Sequence, residues 1–195
     1  MRQRLGIFDQ SFLTLEPDCL LTASPATLAA ALKPGGMFPE LRAMRLKEIA
    51  ERVQTEFGAD LDAALGRMPI AKARVALRKF PGIAVPGADR ILLFAGIAPI
   101  AAVPSNCPHV LVRIQKGAEG GNYEAMYGEA QRMLAAGVAE KPDARIRAYL
   151  LLKRHGQELC KRANPKCSVC PITDTCAFFA NVGQALSPVR RKPVK

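Results

Sequence analysis

Four cysteines crowd into seventeen residues near the C-terminal end: Cys160, Cys167, Cys170 and Cys176, spaced C-x6-C-x2-C-x5-C. Thiols this close, in a stretch punctuated by Lys and Pro, can all turn inward onto one soft metal centre. Four thiolates satisfy a cubane iron–sulfur cluster. A structural zinc and a pair of disulfides are the alternatives. Zinc knuckles usually offer two short C-x2-4-C pairs set well apart. Here only Cys167 and Cys170 form such a pair, with six and five residues separating it from the outer cysteines. The spacing favours a 4Fe-4S cluster held by a local loop. Such a centre staples a segment and need not hold the whole fold, because 195 residues can bury a core without it.

The other two cysteines, Cys19 and Cys107, lie outside this spacing and read as packed thiols, since cysteine is among the most buried residue types. No stretch approaches the length of a membrane span, and the start, Met1-Arg2-Gln3-Arg4-Leu5-Gly6, lacks the apolar run and cleavage site of a signal peptide. Reduced thiols, a cytoplasmic address and no membrane partner are the corresponding expectations.

Charge is distributed unevenly. Of the net +11, the last 55 residues hold +9, from 12 Lys/Arg against 3 Asp/Glu, and the first 140 hold +2. Concentrated positive charge is the footprint of phosphate binding, with an acidic protein partner or a plain solvated surface as alternatives. The run Ser187 to Lys195 reads as a basic tail that adds affinity without specificity.

The periodicity is helical throughout. Ser24-Pro25 is an N-cap followed by proline at the first helical position, and Pro34-Gly35-Gly36 stops that helix. Leu46, Ile49, Ala50, Val53 and Phe57 form the apolar stripe of an amphipathic helix that Gly58 ends. Further helices are expected near 61–66, 71–79, from the turn at 80–86 to about 95, and near 105–115, 122–136 and 143–155. No alternating run demands a sheet, so the fold class is all-α.

Phe80-Pro81-Gly82-Ile83-Ala84-Val85, between two helices, has the form of a helix-hairpin-helix module. In that module the backbone N–H groups of the hairpin and of the next helix's start point at a phosphate. Gly82 permits the tight turn. Pro-Gly alone marks any loop; followed by the cysteine pattern some eighty residues on, it becomes specific.

Together these residues resemble the endonuclease III branch of the helix-hairpin-helix (HhH-GPD) DNA glycosylases. The match runs from about Ser24 to Phe179, four-fifths of the chain. It passes through Leu32 to Val53, the hairpin, Ala101 to Ile114, and His155-Gly156-Gln157-Glu158-Leu159-Cys160. The resemblance implies a two-lobed all-α fold with duplex DNA, damaged or abasic, in the groove between lobes and a base flipped into a pocket. It implies phosphate contacts from Lys79, Gly82, Ile83, Ala84 and Val85, and from a basic cluster loop carrying Lys161, Arg162 and Lys166. It also implies a structural 4Fe-4S cluster on Cys160, Cys167, Cys170 and Cys176, and a monomer. The expected organisation is a divergent or truncated N-terminal segment over 1–23, a helical lobe over 24–140 with the hairpin module at about 71–95, the last helix and cluster loop over 141–180, and a basic tail over 181–195.

The catalytic positions depart from that family. Its lysine, which opens the helix after the hairpin and attacks C1′ in lyase-competent members, corresponds to Pro86. The aspartate of its Val-Asp-Thr-His segment corresponds to Pro104 in Val103-Pro104-Ser105-Asn106, in an ungapped match reaching the shared Arg113. Base departure builds positive charge at C1′ that a carboxylate stabilises or a nucleophile captures, and neither proline supplies such a group. Asp89 is the nearest carboxylate and reads as a surface charge. Ser105 and Asn106 read as N-capping residues that could alternatively position water, and His109 as DNA-facing or partly buried. Pro86 and Pro104 both suit helix starts. The family's Leu-Ser-x-Gln segment has only a loose echo in Gln10-Ser11. Two readings follow: a repair glycosylase with a relocated carboxylate, more plausibly monofunctional than a glycosylase/lyase, or a catalytically silent module that binds distorted or abasic DNA.

Overall fold

The computed structural model describes residues 16–183, with side chains to 181. The Gln10-Ser11 echo and nearly all of the basic tail lie outside these residues. The chain divides into two compact units at Ile83–Ala84, inside the hairpin. Among the described residues there are helices and turns and no strand.

The first unit contains α1 (Pro17–Thr22), α2 (Pro25–Leu32), α3 (Pro39–Phe57), α4 (Leu61–Gly66) and α5 (Ile70–Arg78). The Ser24 hydroxyl accepts the Thr27 N–H at 3.1 Å, so the expected N-cap forms with Pro25 behind it. A 3-10 turn over Lys33–Gly35 ends α2, and the Arg42 guanidinium reaches back to the carbonyls of Leu32 and Gly36. α3 lays Ala43 and Ala50 against Leu20, Leu28 and Ala29 of α1 and α2. Val53 and Phe57 are also buried, and Gly58 ends α3 in the left-handed conformation. Phe57 stacks on Phe80 at 5.7 Å, which anchors the start of the hairpin to the core. Cys19 is exposed, contrary to the packed-thiol expectation. The short helix α1 buries Leu20 and half-buries Pro17 and Leu21, and Cys19 is left on an outer face.

The second unit contains α6 (Val85–Phe94), α7 (Pro108–Lys116), α8 (Tyr123–Gly137) and α9 (Pro142–Glu158), followed by the cysteine loop. Val112 of α7 and Met126, Tyr127, Ala130 and Leu134 of α8 share a core with the extended residues Ala101 and Val103. Leu93, Ala102 and Tyr149 join α6 to α9. Gly156 is where α9 meets the residue ahead of α7: a Cβ there would lie 2.4 Å from the buried Cys107 sulfur. This close approach sets the end of α9, and therefore Cys160, beside α7.

Candidate nucleic-acid interface and cysteine loop

The hairpin is built by the backbone. Phe80 is buried, Gly82 takes φ +78°, and the Ile83 N–H closes the turn on the Phe80 carbonyl at 3.2 Å. Ala84 is extended, and α6 begins at Val85 with Pro86 in its second position, as the sequence suggests. The first bond of α6 runs from the Ala88 N–H to the Ala84 carbonyl at 3.0 Å. The N–H groups of Val85 and Gly87 therefore belong to the unpaired first turn, at the positive end of the helix dipole. Gly82, Ala84 and Val85 are exposed and Ile83 is half-buried. Lys72 of α5 and Lys79 at its C-cap flank a strip with exposed Ala71 and Val75 and half-buried Ala76.

A second exposed feature went unread in the sequence. Met37 is 79 % and Phe38 66 % exposed, and Leu41 and Met44 continue the apolar face at the start of α3. Phe38 takes φ +57°, a conformation a bulky side chain adopts only when its surroundings hold it there. The signal was present in part: Leu41 and Met44, three residues apart on α3, share a helix face outside the buried stripe, and Met37 and Phe38 lie just ahead of that helix.

Three expectations about the catalytic region need correction. Asp89 is not a surface charge: it is fully buried, accepting from the Tyr127 hydroxyl at 3.2 Å and from the Gln131 amide at 2.6 Å. Burial first, and then the Asp89 charge, push the Tyr127 hydroxyl well above its usual range. Ser105 and Asn106 do not cap a helix: they form an exposed turn, and α7 starts later, with Cys107 at the cap and Pro108 in the first turn. Pro104 does not open a helix either. It is buried in the extended segment before that turn, and its carbonyl accepts the Cys107 N–H at 2.9 Å. Pro108 takes the helix-starting role because it can fill the first turn without a lost hydrogen bond. His109 is buried, its Nε2 at 2.8 Å from the Cys160 carbonyl, and burial lowers its pKa.

Cys160, Cys167, Cys170 and Cys176 all line one small cavity, and none is in a disulfide. Among the described residues no group of three or more His, Cys, Asp or Glu is drawn together tightly enough for a single metal ion. The His155 Nε2 lies 3.9 Å from the Cys170 sulfur. Arg113 ties the loop to α7. Its Nη1 sits 3.6 Å from the Cys160 sulfur and 2.9 Å from the Lys161 carbonyl, its Nη2 donates to the Arg162 carbonyl at 2.9 Å, and the guanidinium covers the Phe178 ring. Burial pushes the Cys160 thiol pKa up, and Arg113 opposes the rise. Lys161, Arg162 and Lys166 are exposed on the same loop, with Arg162 paired to Glu119 at 3.0 Å.

No protein-family model and no curated protein matches the sequence. Solved structures do match the fold. A thermostable thymine-DNA glycosylase aligns at TM-score 0.62 and 23 % identity, over 84 % of this chain and 70 % of that one. A trapped covalent endonuclease III–DNA intermediate in an estranged-adenine complex aligns at 0.64 and 17 %, over 86 % and 71 %. A non-covalent endonuclease III–DNA complex aligns at 0.64 and 16 %, over 87 % and 72 %. The chain thus has the endonuclease III-like helix-hairpin-helix fold. Among its described residues no helix is long and apolar enough to cross a membrane.

Proposed function

We propose that this chain is an endonuclease III-like DNA-binding protein of base-excision repair that grips distorted or abasic duplex DNA without lysine-based strand cleavage. The observation that carries the reading is the hairpin. The left-handed turn at Gly82 leads into α6, whose open first turn would offer N–H donors to a backbone phosphate, within a fold shared with DNA glycosylases. Lys161, Arg162 and Lys166 would add a second set of phosphate contacts from the cysteine loop. The exposed Met37 and Phe38 suit a wedge that enters a base step, because apolar side chains inserted there unstack and kink a duplex.

The cysteine loop fits a 4Fe-4S cluster. Four thiols without disulfides share one cavity, and the buried Arg113 guanidinium beside Cys160 opposes the rise that burial imposes on its thiol. Cys160, Cys167, Cys170 and Cys176 would hold the cluster, whose contribution here is to brace the loop. This chain's own residues then present the positive charge: Arg113 fixes the backbone of Lys161 and Arg162, leaving the side chains of Lys161 and Lys166 facing solvent.

One observation favours the catalytically silent reading over a monofunctional glycosylase. The carboxylate nearest position 86 in sequence, Asp89, is fully buried and held by Tyr127 and Gln131, so it has no open path to a sugar. Single-turnover incubation with a panel of damaged and abasic duplexes, scored separately for base loss, nicking and binding, tests the proposal. Binding to abasic or distorted duplex with neither base loss nor nicking is the expected result. Base loss without nicking would restore the monofunctional enzyme, and absence of duplex binding would remove the DNA reading.

A further inference from the structure

Glu119 follows α7, and its carboxylate bridges two arginines. One oxygen is 2.6 Å from the Arg113 Nη2 and the other 3.0 Å from the Arg162 Nε. The two partners are unlike. The Arg113 side chain is 6 % exposed and already fixed by two loop carbonyls and the Phe178 ring, so it needs a counter-charge that stays. The Arg162 side chain is 64 % exposed, and an ion pair of that kind is weak and readily exchanged. Glu119 itself is 22 % exposed, with one arm committed and one arm open to competition.

We propose that Glu119 is an internal stand-in for phosphate, occupying Arg162 in the free protein and giving it up to a backbone phosphate when duplex DNA binds. The inference rests on the DNA-binding reading above. A carboxylate and a phosphate present similar oxygens to a guanidinium, and Arg162 has Lys161 beside it and Lys166 on the same loop to draw a polyanion in. Arg113 retains Glu119 through the exchange, so the loop backbone does not have to move. Glu119 then holds down duplex affinity in two ways. It competes for Arg162, and after the exchange it leaves a carboxylate beside the incoming phosphate.

Glu119→Gln keeps an oxygen for Arg113 and removes the charge. Anisotropy with a labelled abasic duplex at low salt should show binding tighter by about three- to fivefold, the scale of an exposed ion pair. Glu124→Gln changes net charge equally at an exposed position and should leave affinity nearly unchanged. In an Arg162→Gln background the gain from Glu119→Gln should vanish. A second measurement needs no variant that disturbs Arg113: the Arg162 Nε–H resonance of the unaltered protein should shift on adding duplex. Equal affinities for Glu119→Gln and Glu124→Gln, a gain that survives Arg162→Gln, or an unmoved Arg162 resonance in the saturated complex would each overturn the proposal. Failure of the unaltered protein to bind any duplex is a different result, and it removes the DNA-binding reading itself.

Discussion

The hairpin and the cysteine loop are both short, exposed and rich in turn residues, but they keep their shapes by different means. The hairpin relies on its backbone: one left-handed glycine, one turn hydrogen bond and the start of a ten-residue helix define it, with Phe80 buried beneath. The cysteine loop has only 3-10 turns over Cys167–Val169 and Thr173–Thr175, and no residue from Lys161 to Ala180 is buried. Its order comes from side chains reaching in, Arg113 and His109 from α7 and the four thiols around a shared cavity. On the proposed reading, a phosphate site made of backbone would survive most side-chain changes, whereas one resting on a cluster and a single arginine would not.

The largest expected difference between the two regions is in their response to losing a thiol. Cys167→Ser should abolish bound iron, about four per chain in the unaltered protein, together with the broad absorbance near 400 nm typical of such clusters. Proteolysis should then cut within 160–176 while the hairpin stays protected. A colourless protein with one stoichiometric zinc would reverse the metal assignment and the account of the loop.

Asp89→Ala comes next, because it deprives the buried Tyr127 hydroxyl and the Gln131 amide of their carboxylate acceptor. The expected loss is about 2–3 kcal/mol in denaturant unfolding. Asp89→Asn keeps an acceptor and should cost less. A loss below about 0.5 kcal/mol for the alanine variant would mean the carboxylate is not the buried hub described here.

Gly82→Val should act on the hairpin alone. No atom lies within 4 Å of an added Cβ, so the cost is conformational, about 1–2 kcal/mol for a branched residue at φ +78°. Duplex affinity should fall by roughly tenfold while the iron content is unchanged. Neutralising Lys161, Arg162 and Lys166 together is read in the salt dependence instead. Each lost phosphate contact should flatten the dependence of log K on log salt by about one unit, and the hairpin variant should leave that slope nearly as it was.

The same contrast governs what the sequence made legible. Ser24, Gly58, Gly82 and the helices they bound were readable because caps and turns are local: a few neighbouring residues carry the physics. That the four cysteines gather around one cavity was readable because their spacing is also local; their service as cluster ligands is the proposal. Asp89 was misread because its partners stand 38 and 42 residues further on, and nothing near it in sequence announces a buried carboxylate. Ser105 and Asn106 were misread for the opposite reason. They are good capping residues in a local view, but the Cys107-Pro108 step starts the helix two residues later. The linkage of Arg113 to the cysteine loop spans nearly fifty residues and emerged only from the fold.

The central claim is DNA binding without a lysine nucleophile, and borohydride trapping on an abasic duplex tests it most directly. A lysine that attacks C1′ forms an imine that reduction converts into a covalent protein–DNA adduct. Pro86, half-buried in the first turn of α6, supplies no amine, and Pro86→Lys places one at that position. With duplex saturated by noncovalent binding, the unaltered protein should give no adduct on a denaturing gel, and Pro86→Lys should give a detectable one. An efficient adduct from the unaltered protein, mapped to any lysine, would contradict the account.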